Sequence, residues 1–228
     1  MPTPAIRRGT FGDRRRSRIA YVLLAVVALG LITTTNRFGA MALRLVSDRV
    51  VGLADLCIPS FVACLAAYLA VSPERPFGAP TVSTPWRRVV RLGGTWLAVW
   101  LAASAVAALV VGHWIRYTTG ASALTAFVLI GPVQEEMLYR GALFELAERG
   151  WDPGRLWNPI LATTVPFSLQ HLQFHGYQPT PAALLQVGFT LPMGLVFGGL
   201  RQQSGSLWPG VVAHILTNLV GAIGSGGA

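Results

Sequence analysis

The sequence predicts an all-α fold, a polytopic bundle of transmembrane helices. Its 228 residues are 53% hydrophobic and only 12% charged, with a mean hydropathy of +0.53. Seven stretches approach the ~20 apolar residues that a bilayer-spanning helix needs. No stretch is left for a soluble domain, and no internal repeat of the transporter type is visible. The predicted spans are Ile19 to Thr33, Val50 to Val71, Leu92 to Gly112, Ala121 to Val133 running on into Glu135, Ile160 to Leu172, Pro181 to Leu200 and Leu207 to Ile223.

The basic residues predict the orientation. The net charge of +9 includes 18 basic residues, all of them arginine. They concentrate before the first span and in the loop after the second, which the positive-inside rule places in the cytoplasm. We therefore expect a multi-pass membrane protein with a cytoplasmic N-terminus, whose basic tail binds anionic lipid and not nucleic acid. The all-arginine, alanine- and glycine-rich composition indicates a bacterial plasma membrane. These arginines are Arg7, Arg8, Arg14, Arg15, Arg16 and Arg18, then Arg75, Arg87, Arg88 and Arg91.

Three regions are predicted along the chain. Residues 1–18 form a basic cytoplasmic tail, expected to be disordered or to lie along the membrane surface. Residues 19–112 contain the N-terminal transmembrane helices, and residues 113–228 contain the polar motifs described below. The proline-rich loop Ser72 to Pro85 separates the two helical regions.

The N-terminal helices carry two further features. Asn36 to Arg49 suits either an interfacial helix or an external loop, and the first span is expected to be an uncleaved signal anchor. Cys57 and Cys64 lie seven residues apart on one face of the second span. We interpret them as small packing residues, without a disulfide.

Two adjacent carboxylates at the end of an apolar run are the most informative feature. Glu135 and Glu136 follow Ala121 to Val133. An acidic side chain at the centre of a spanning helix costs roughly 2.5–3.5 kcal/mol on insertion scales and marks a functional site. Glu136 and Arg140 are i, i+4 neighbours that can pair, which leaves Glu135 as the chemically available carboxylate.

Histidines on two later spans are predicted to reach the same depth. Glu135 lies 17 residues before Asp152 in a cytoplasmic turn, and His171 lies 19 residues after it. In an antiparallel hairpin both are roughly 25–29 Å from the turn. His214 is ten residues beyond Ser204 in the next cytoplasmic turn, or about 15 Å deep.

This set of groups suits hydrolysis by an activated water. Phe167 and His171 share one helical face, as do His214 and Asn218. Glu135 as general base could take a proton from water, and His171 could position that water and return a proton to the leaving amine. His214 and Asn218 could donate hydrogen bonds to the oxyanion of a tetrahedral intermediate.

The three motifs resemble those of a known family. Glu135-Glu136-x-x-x-Arg140, Phe167-x-x-x-His171 and His214-x-x-x-Asn218, in this order on successive apolar helices, resemble the CPBP family of intramembrane proteases. That family includes the type II CAAX prenyl endopeptidases and the bacterial Abi proteins. The resemblance covers roughly Ala121 to Val220.

The resemblance implies a role for each motif residue. It implies that Glu135 and His171 activate the water, that Glu136 and Arg140 support them together with Phe167, and that His214 and Asn218 stabilise the oxyanion. The implied substrate is a membrane-associated peptide or protein within the lipid bilayer. Whether that substrate is prenylated, and the oligomeric state, are left open by the sequence.

A zinc site is the nearest alternative chemistry. Two histidines and a glutamate form a known catalytic zinc set, so Glu135, His171 and His214 would be the ligands. Relatives are often named metalloproteases. However, the chain has no His-Glu-x-x-His, and the ligands would come from three separate helices. No cofactor is therefore favoured.

Two alternatives belong to other functional classes. The protein could be a non-catalytic membrane scaffold or a bacteriocin self-immunity protein of the Abi type, although its motifs are intact. It could also be a transporter that uses the Glu, Arg and His cluster as a proton relay. Peptide cleavage in detergent, without any gradient, distinguishes an enzyme from both.

Overall fold

The computed structural model describes residues 11–46, 53–72, 77–78, 84–111, 125–151 and 159–223, and every regular element among them is a helix. This confirms the all-α prediction. We number seven helices in the described residues and treat four consecutive segments as one helix, α4. They are α1 Phe11–Val46, α2 Leu53–Val71, α3 Trp86–Val111, α5 Pro159–Leu169, α6 Pro181–Ser204 and α7 Trp208–Ile223. Helix α4 lies between α3 and α5 and consists of Thr125–Ile130, Gly131–Glu136, Met137–Leu143 and Phe144–Gly150.

Helix α1 is longer than predicted at both ends. It begins at Phe11, so residues 11–18 are helical and not disordered, while residues 1–10 lie outside the described part of the chain. Arg18 Nε donates to the Gly150 carbonyl at 2.6 Å, which ties the basic segment to the end of α4. The helix also continues to Val46, so the segment from Asn36 is not a separate interfacial helix or a loop up to that point.

Two other boundaries differ from the predictions. The Pro85 carbonyl accepts hydrogen bonds from the amides of Arg88 and Val89, and α3 starts at Trp86. The first turns of α3 therefore carry three arginines that were predicted to lie in a loop, namely Arg87, Arg88 and Arg91. Proline is well suited to this place because its fixed φ favours the first helical turn. At the other boundary, α5 tightens into the 3₁₀ segment Gln170–His175 and ends at Gly176, where φ is +62°.

Helix α4 contains two π-helical segments, Thr125–Ile130 and Met137–Leu143. Pro132 explains the first π segment. Because proline has no N–H to donate to a carbonyl in the preceding turn, that turn can widen. Gly131 permits this winding, since a Cβ there would lie 3.2 Å from the Ala126 carbonyl oxygen. The two carboxylates lie between the π segments.

Large apolar side chains are exposed on the outside of the fold and a cluster of charged side chains is buried within its core, which is a distribution expected in a membrane. Leu109, Leu185 and Val90 are 84%, 76% and 67% exposed, whereas Glu136 and Arg140 are 0% exposed. Large exposed apolar surfaces mark contact with lipid or protein. Two stretches of the described residues, Trp86–Val106 and Pro181–Ser204, are long and apolar enough to cross a membrane. Seven spans stay a prediction.

Helix α4 packs against α1, α2, α5, α6 and α7, and α3 covers α6 and α7. Cys57 and Cys64 on α2 are buried and free, in agreement with the predicted packing role.

Two tyrosine hydroxyls donate to main-chain carbonyls of distant helices. The Tyr21 hydroxyl donates to the Ala162 carbonyl at 2.6 Å, and the Tyr177 hydroxyl donates to Leu29 at 3.0 Å. The Ala162 carbonyl has no helical N–H partner four residues later because that residue is Pro166. Tyr21 thus satisfies a carbonyl that the proline left unpaired.

Candidate active site

A fully buried ion pair forms the base of the candidate site. Arg140 Nη1 donates to Glu136 Oε1 at 3.1 Å, and neither side chain is exposed. Arg140 Nη2 also donates to the Gly194 carbonyl of α6 at 3.1 Å, and the guanidinium lies 4.2 Å from the ring centroid of Phe167. An unpaired buried ion costs on the order of several kcal/mol. These contacts offset part of the cost of burying the two charges, while Glu136 Oε2 and Arg140 Nε have no hydrogen-bond partner among the described residues.

His214 on α7 contacts both carboxylates of α4. Its Nδ1 lies 3.2 Å from Glu136 Oε1, and its Nε2 lies 3.8 Å from Glu135 Oε2. The ring of Phe197 packs on the imidazole with centroids 4.8 Å apart. The first distance is a hydrogen bond and the second is too long for one, so Glu135 keeps its capacity to accept from a reactant.

His171 and Phe167 lie on the neighbouring helix. His171 Nδ1 is 2.9 Å from the Phe167 carbonyl oxygen. A carbonyl only accepts, so Nδ1 carries the hydrogen and Nε2 presents its lone pair. The Phe167 ring lies between the two histidines, with centroids 5.3 Å from His171 and 6.0 Å from His214. Glu135 and His171 are each 8% exposed, so both remain reachable.

Asn218 lies one turn beyond His214 and reaches α4. Its Nδ2 donates to the Phe127 carbonyl at 2.9 Å. Phe127 belongs to the first π segment, and in a π register the N–H facing its carbonyl would be that of Pro132, which has none. One amide hydrogen of Asn218 thus supports the winding of α4, and the second is free of that bond.

Two polar residues that the sequence reasoning missed lie directly beside this cluster. The Tyr139 hydroxyl donates to Gln170 Oε1 at 3.0 Å, and both residues are 0% exposed. Helical spacing could have revealed them. Tyr139 is i+4 from Glu135, and Gln170 is i+3 from Phe167, so each shares a face with a motif residue.

Other helices support the site through side-chain contacts that no motif marks. Ser60 Oγ on α2 donates to Gln134 Oε1 at 2.8 Å. Trp96 Nε1 on α3 donates to Thr217 Oγ1 at 3.0 Å. Arg201 Nε on α6 donates to the Arg140 carbonyl at 3.1 Å. Gln134, Thr217 and Arg140 are thereby each held by a different neighbouring helix.

The cluster does not have the arrangement of a metal centre. Among the described residues, no three His, Cys, Asp or Glu side chains are grouped so that they could hold a metal ion. The alternative zinc set of Glu135, His171 and His214 is therefore not such a group.

The fold and the site define a class. The described residues form an all-helical fold that includes two helices long and apolar enough to cross a membrane, and the helices enclose a cluster of carboxylates, an arginine and histidines. Residues 117–220 match the family model described as type II CAAX prenyl endopeptidase Rce1-like. This match supports the resemblance to CAAX proteases seen in the motifs. No curated protein and no solved structure matches the chain.

The description of the matched model names an endopeptidase, so the match supports a hydrolase of the protease type. The matched segment covers a little under half of the 228 residues and includes all three motifs.

Proposed function

We propose that the protein is an intramembrane endopeptidase in which Glu135 and His171 activate water to hydrolyse a peptide bond of a membrane-associated substrate. The difference between the two adjacent carboxylates carries this proposal. The charge of Glu136 is paired with that of Arg140, and Glu136 Oε1 is hydrogen-bonded to His214. Glu135, by contrast, is 8% exposed, and its Oε2 lies 3.8 Å from His214 Nε2. Glu135 is thus the carboxylate that is left to accept a proton.

The first step is addition of water to the substrate carbonyl. Glu135 accepts one proton of the water while the oxygen forms a bond to the carbonyl carbon, whose oxygen becomes an oxyanion. His171 Nε2 accepts a hydrogen bond from the same water and orients it, in keeping with the tautomer that the Phe167 carbonyl selects.

The second step is collapse of the tetrahedral intermediate. The carbon–nitrogen bond breaks, the oxyanion re-forms a carbonyl, and the leaving nitrogen takes the proton held by Glu135, with His171 as the relay. The products are a carboxylic acid and an amine, and Glu135 is again ionised. General acid–base transfer of this kind contributes about 10²- to 10⁴-fold in rate.

His214 and the second amide hydrogen of Asn218 are proposed to stabilise the oxyanion. Both residues project from α7, one turn apart, and because His214 Nδ1 already donates to Glu136, its Nε2 donates to the oxyanion as part of an imidazolium. A single oxyanion donor is worth roughly 2.7–4 kcal/mol in a dry site. Glu136 and Arg140 act as supporting residues by holding His214 and α6 in place.

No resident metal is part of this proposal. The arrangement of the described His and Glu side chains supports water activation by the carboxylate. Chelation distinguishes the two chemistries directly.

The test is cleavage of a panel of reporters by the detergent-purified protein. The panel contains unmodified transmembrane peptides and peptides with a prenylated C-terminal cysteine. Wild type is compared with Glu135→Gln and His171→Ala, and with Glu145→Gln as a matched control, because Glu145 is a partly exposed carboxylate on the same helix. Each reaction is run with and without a chelator.

We expect cleavage by wild type and by Glu145→Gln, a loss of about 10²- to 10⁴-fold in Glu135→Gln and His171→Ala, and no effect of the chelator. Loss on chelation with rescue by zinc would replace the carboxylate mechanism with a metal mechanism. Absence of cleavage in every sample, with a cellular phenotype indifferent to Glu135→Gln, would support a scaffold or immunity protein instead.

A further inference from the structure

We infer that Arg201 is a positioning residue of the candidate site, because it holds the second π segment of α4 and through it the residue Arg140. This inference rests on the proposed function, since it concerns the geometry in which Glu135 meets the water. Arg201 lies on α6, outside the three motifs. It acts through Arg140 and Glu136 on His214, the histidine proposed to stabilise the oxyanion.

The π winding of α4 changes the hydrogen bonding at the Arg140 carbonyl. In an α-helix the Phe144 amide would donate to this carbonyl, four residues earlier. In the second π segment the Phe144 amide donates instead to the carbonyls of Tyr139 and Gly141. Arg201 Nε on α6 donates to the Arg140 carbonyl at 3.1 Å. A side chain from another helix thus replaces the main-chain donor that the π turn moved away.

The first π segment is held in the same manner. Asn218 Nδ2 on α7 donates to the Phe127 carbonyl at 2.9 Å. Glu135 and Glu136 therefore lie between two π segments, each of which has a carbonyl bonded to a side chain of α6 or α7. Since a π turn closes over one residue more than an α turn, a change of winding would rotate these carboxylates by roughly 100° about the helix axis. The two donors thus fix the direction in which the carboxylates project.

Helix α6 binds Arg140 at both its main chain and its side chain. Arg201 Nε holds the Arg140 carbonyl, and the Gly194 carbonyl accepts from Arg140 Nη2 at 3.1 Å. Arg140 Nη1 donates to Glu136 Oε1, which lies 3.2 Å from His214 Nδ1. The place of His214 therefore depends on Arg140, and the place of the Arg140 main chain depends on Arg201.

The other contacts of Arg201 separate hydrogen bonding from charge. Its Nη1 donates to the Gly205 carbonyl in the turn between α6 and α7, and its Nη2 lies 3.5 Å from Glu145 Oε2. The pair with Glu145 is partly exposed, and such pairs contribute little. The planar guanidinium joins the Arg140 and Gly205 carbonyls in a fixed geometry that an ammonium group does not reproduce. The hydrogen bonds of Arg201, and not its charge, therefore carry the positioning.

The kinetic test compares wild type with Arg201→Lys and Arg201→Gln on the reporter that wild type cleaves best. Lysine keeps the charge and glutamine keeps an amide donor, but neither has the guanidinium fork. We expect both variants to lower kcat about 10- to 100-fold with KM within about twofold, because a small misplacement of catalytic groups acts on the transition state. Glu145→Gln removes the ion pair, leaves the Nε bond in place, and is expected to keep kcat within about threefold of wild type.

A spectroscopic test does not depend on turnover. The chain contains four histidines, so selective ¹⁵N-histidine labelling gives few ring signals, and that of His214 is assigned by its loss in His214→Ala. We expect Arg201→Lys and Arg201→Gln to shift the His214 Nδ1 signal, because this nitrogen contacts Glu136. Glu145→Gln should leave the signal in place. His175, which bonds to Gln186 at 2.6 Å, is the internal reference and should not move in any variant.

Three results would overturn the inference. The first is an unmoved His214 signal in both Arg201 variants, and the second is a wild-type kcat in Arg201→Lys, since charge alone would then suffice. The third is failure of both Arg201 variants to fold while Glu145→Gln folds, which would restrict Arg201 to a role in stability. Activity that survives Glu135→Gln would instead overturn the proposed function, whatever the Arg201 variants do.

Discussion

His214 Nδ1 lies 3.2 Å from Glu136 Oε1 and joins two helices that are 78 residues apart in the sequence. The same carboxylate oxygen accepts from Arg140 at 3.1 Å. Glu136 is therefore the junction at which α4, α7 and, through Arg140, α6 meet. Changes that disturb this junction should affect stability and catalysis in distinguishable ways.

Arg140→Met should destabilise the fold strongly. It leaves the Glu136 charge buried with one partner fewer, and removing one member of a buried ion pair costs about 3–5 kcal/mol. Unfolding in mixed detergent micelles measures the effect. Arg149→Met is the control, because the Arg149–Glu145 pair is 47% and 26% exposed and should contribute at most about 1 kcal/mol. Equal effects of the two variants would contradict a structural role for the buried pair.

Gly141→Ala should separate α2 from α4. A Cβ at Gly141 would lie 2.4 Å from Cδ2 of Tyr68, which is itself 1% exposed. Overpacking of this kind costs roughly 1–3 kcal/mol, and the melting temperature should fall. Gly188→Ala is the control, since no heavy atom lies within 4 Å of its added Cβ. The prediction fails if the two alanine variants melt at the same temperature.

Gly210→Ala should impair catalysis more than its size suggests. The added Cβ would lie 2.9 Å from Glu136 Oε2 and would displace the carboxylate that holds His214. Misplacement of a catalytic group by about 1 Å costs on the order of 10²-fold in rate. Steady-state kinetics on the reporter that wild type cleaves best will show this as a fall in kcat. An unchanged kcat would mean that the position of Glu136 does not limit the reaction.

Asn218→Ala should affect two properties at once. It removes the hydrogen bond to the Phe127 carbonyl, at a cost of about 0.5–1.5 kcal/mol, and it removes the proposed oxyanion donor, at a cost of about 10²- to 10³-fold in kcat. Hydrogen exchange in the first π segment reports the former, and kinetics report the latter. Faster exchange with normal kcat would restrict Asn218 to a structural role.

The sequence predicted the features that depend on local spacing. The Glu136–Arg140 pair follows from an i, i+4 separation, and the apolar runs predicted helices close to those observed. The prediction that Glu135, His171 and His214 lie at the same depth along their helices relied only on the rise per residue of an α-helix and on short turns. Those local rules place the candidate site on α4, α5 and α7.

Features that depend on tertiary contact were not predictable in this way. The arginine-rich start of α1 looked disordered because nothing local shows that Arg18 meets the Gly150 carbonyl. The widened turns of α4 were missed because an ideal helix was assumed on either side of Pro132. The contact of Tyr139 with Gln170 joins residues 31 positions apart, neither of which belongs to a motif.

The main-chain acceptors have a consequence for how relatives of this protein would diverge. Where a side chain donates to a carbonyl, as Tyr21 does to Ala162 and Asn218 does to Phe127, the acceptor position can change its residue without loss of the bond. Such pairs have no reason to co-vary through evolution. Comparative methods that infer proximity from correlated substitutions would thus miss contacts that hold these helices together.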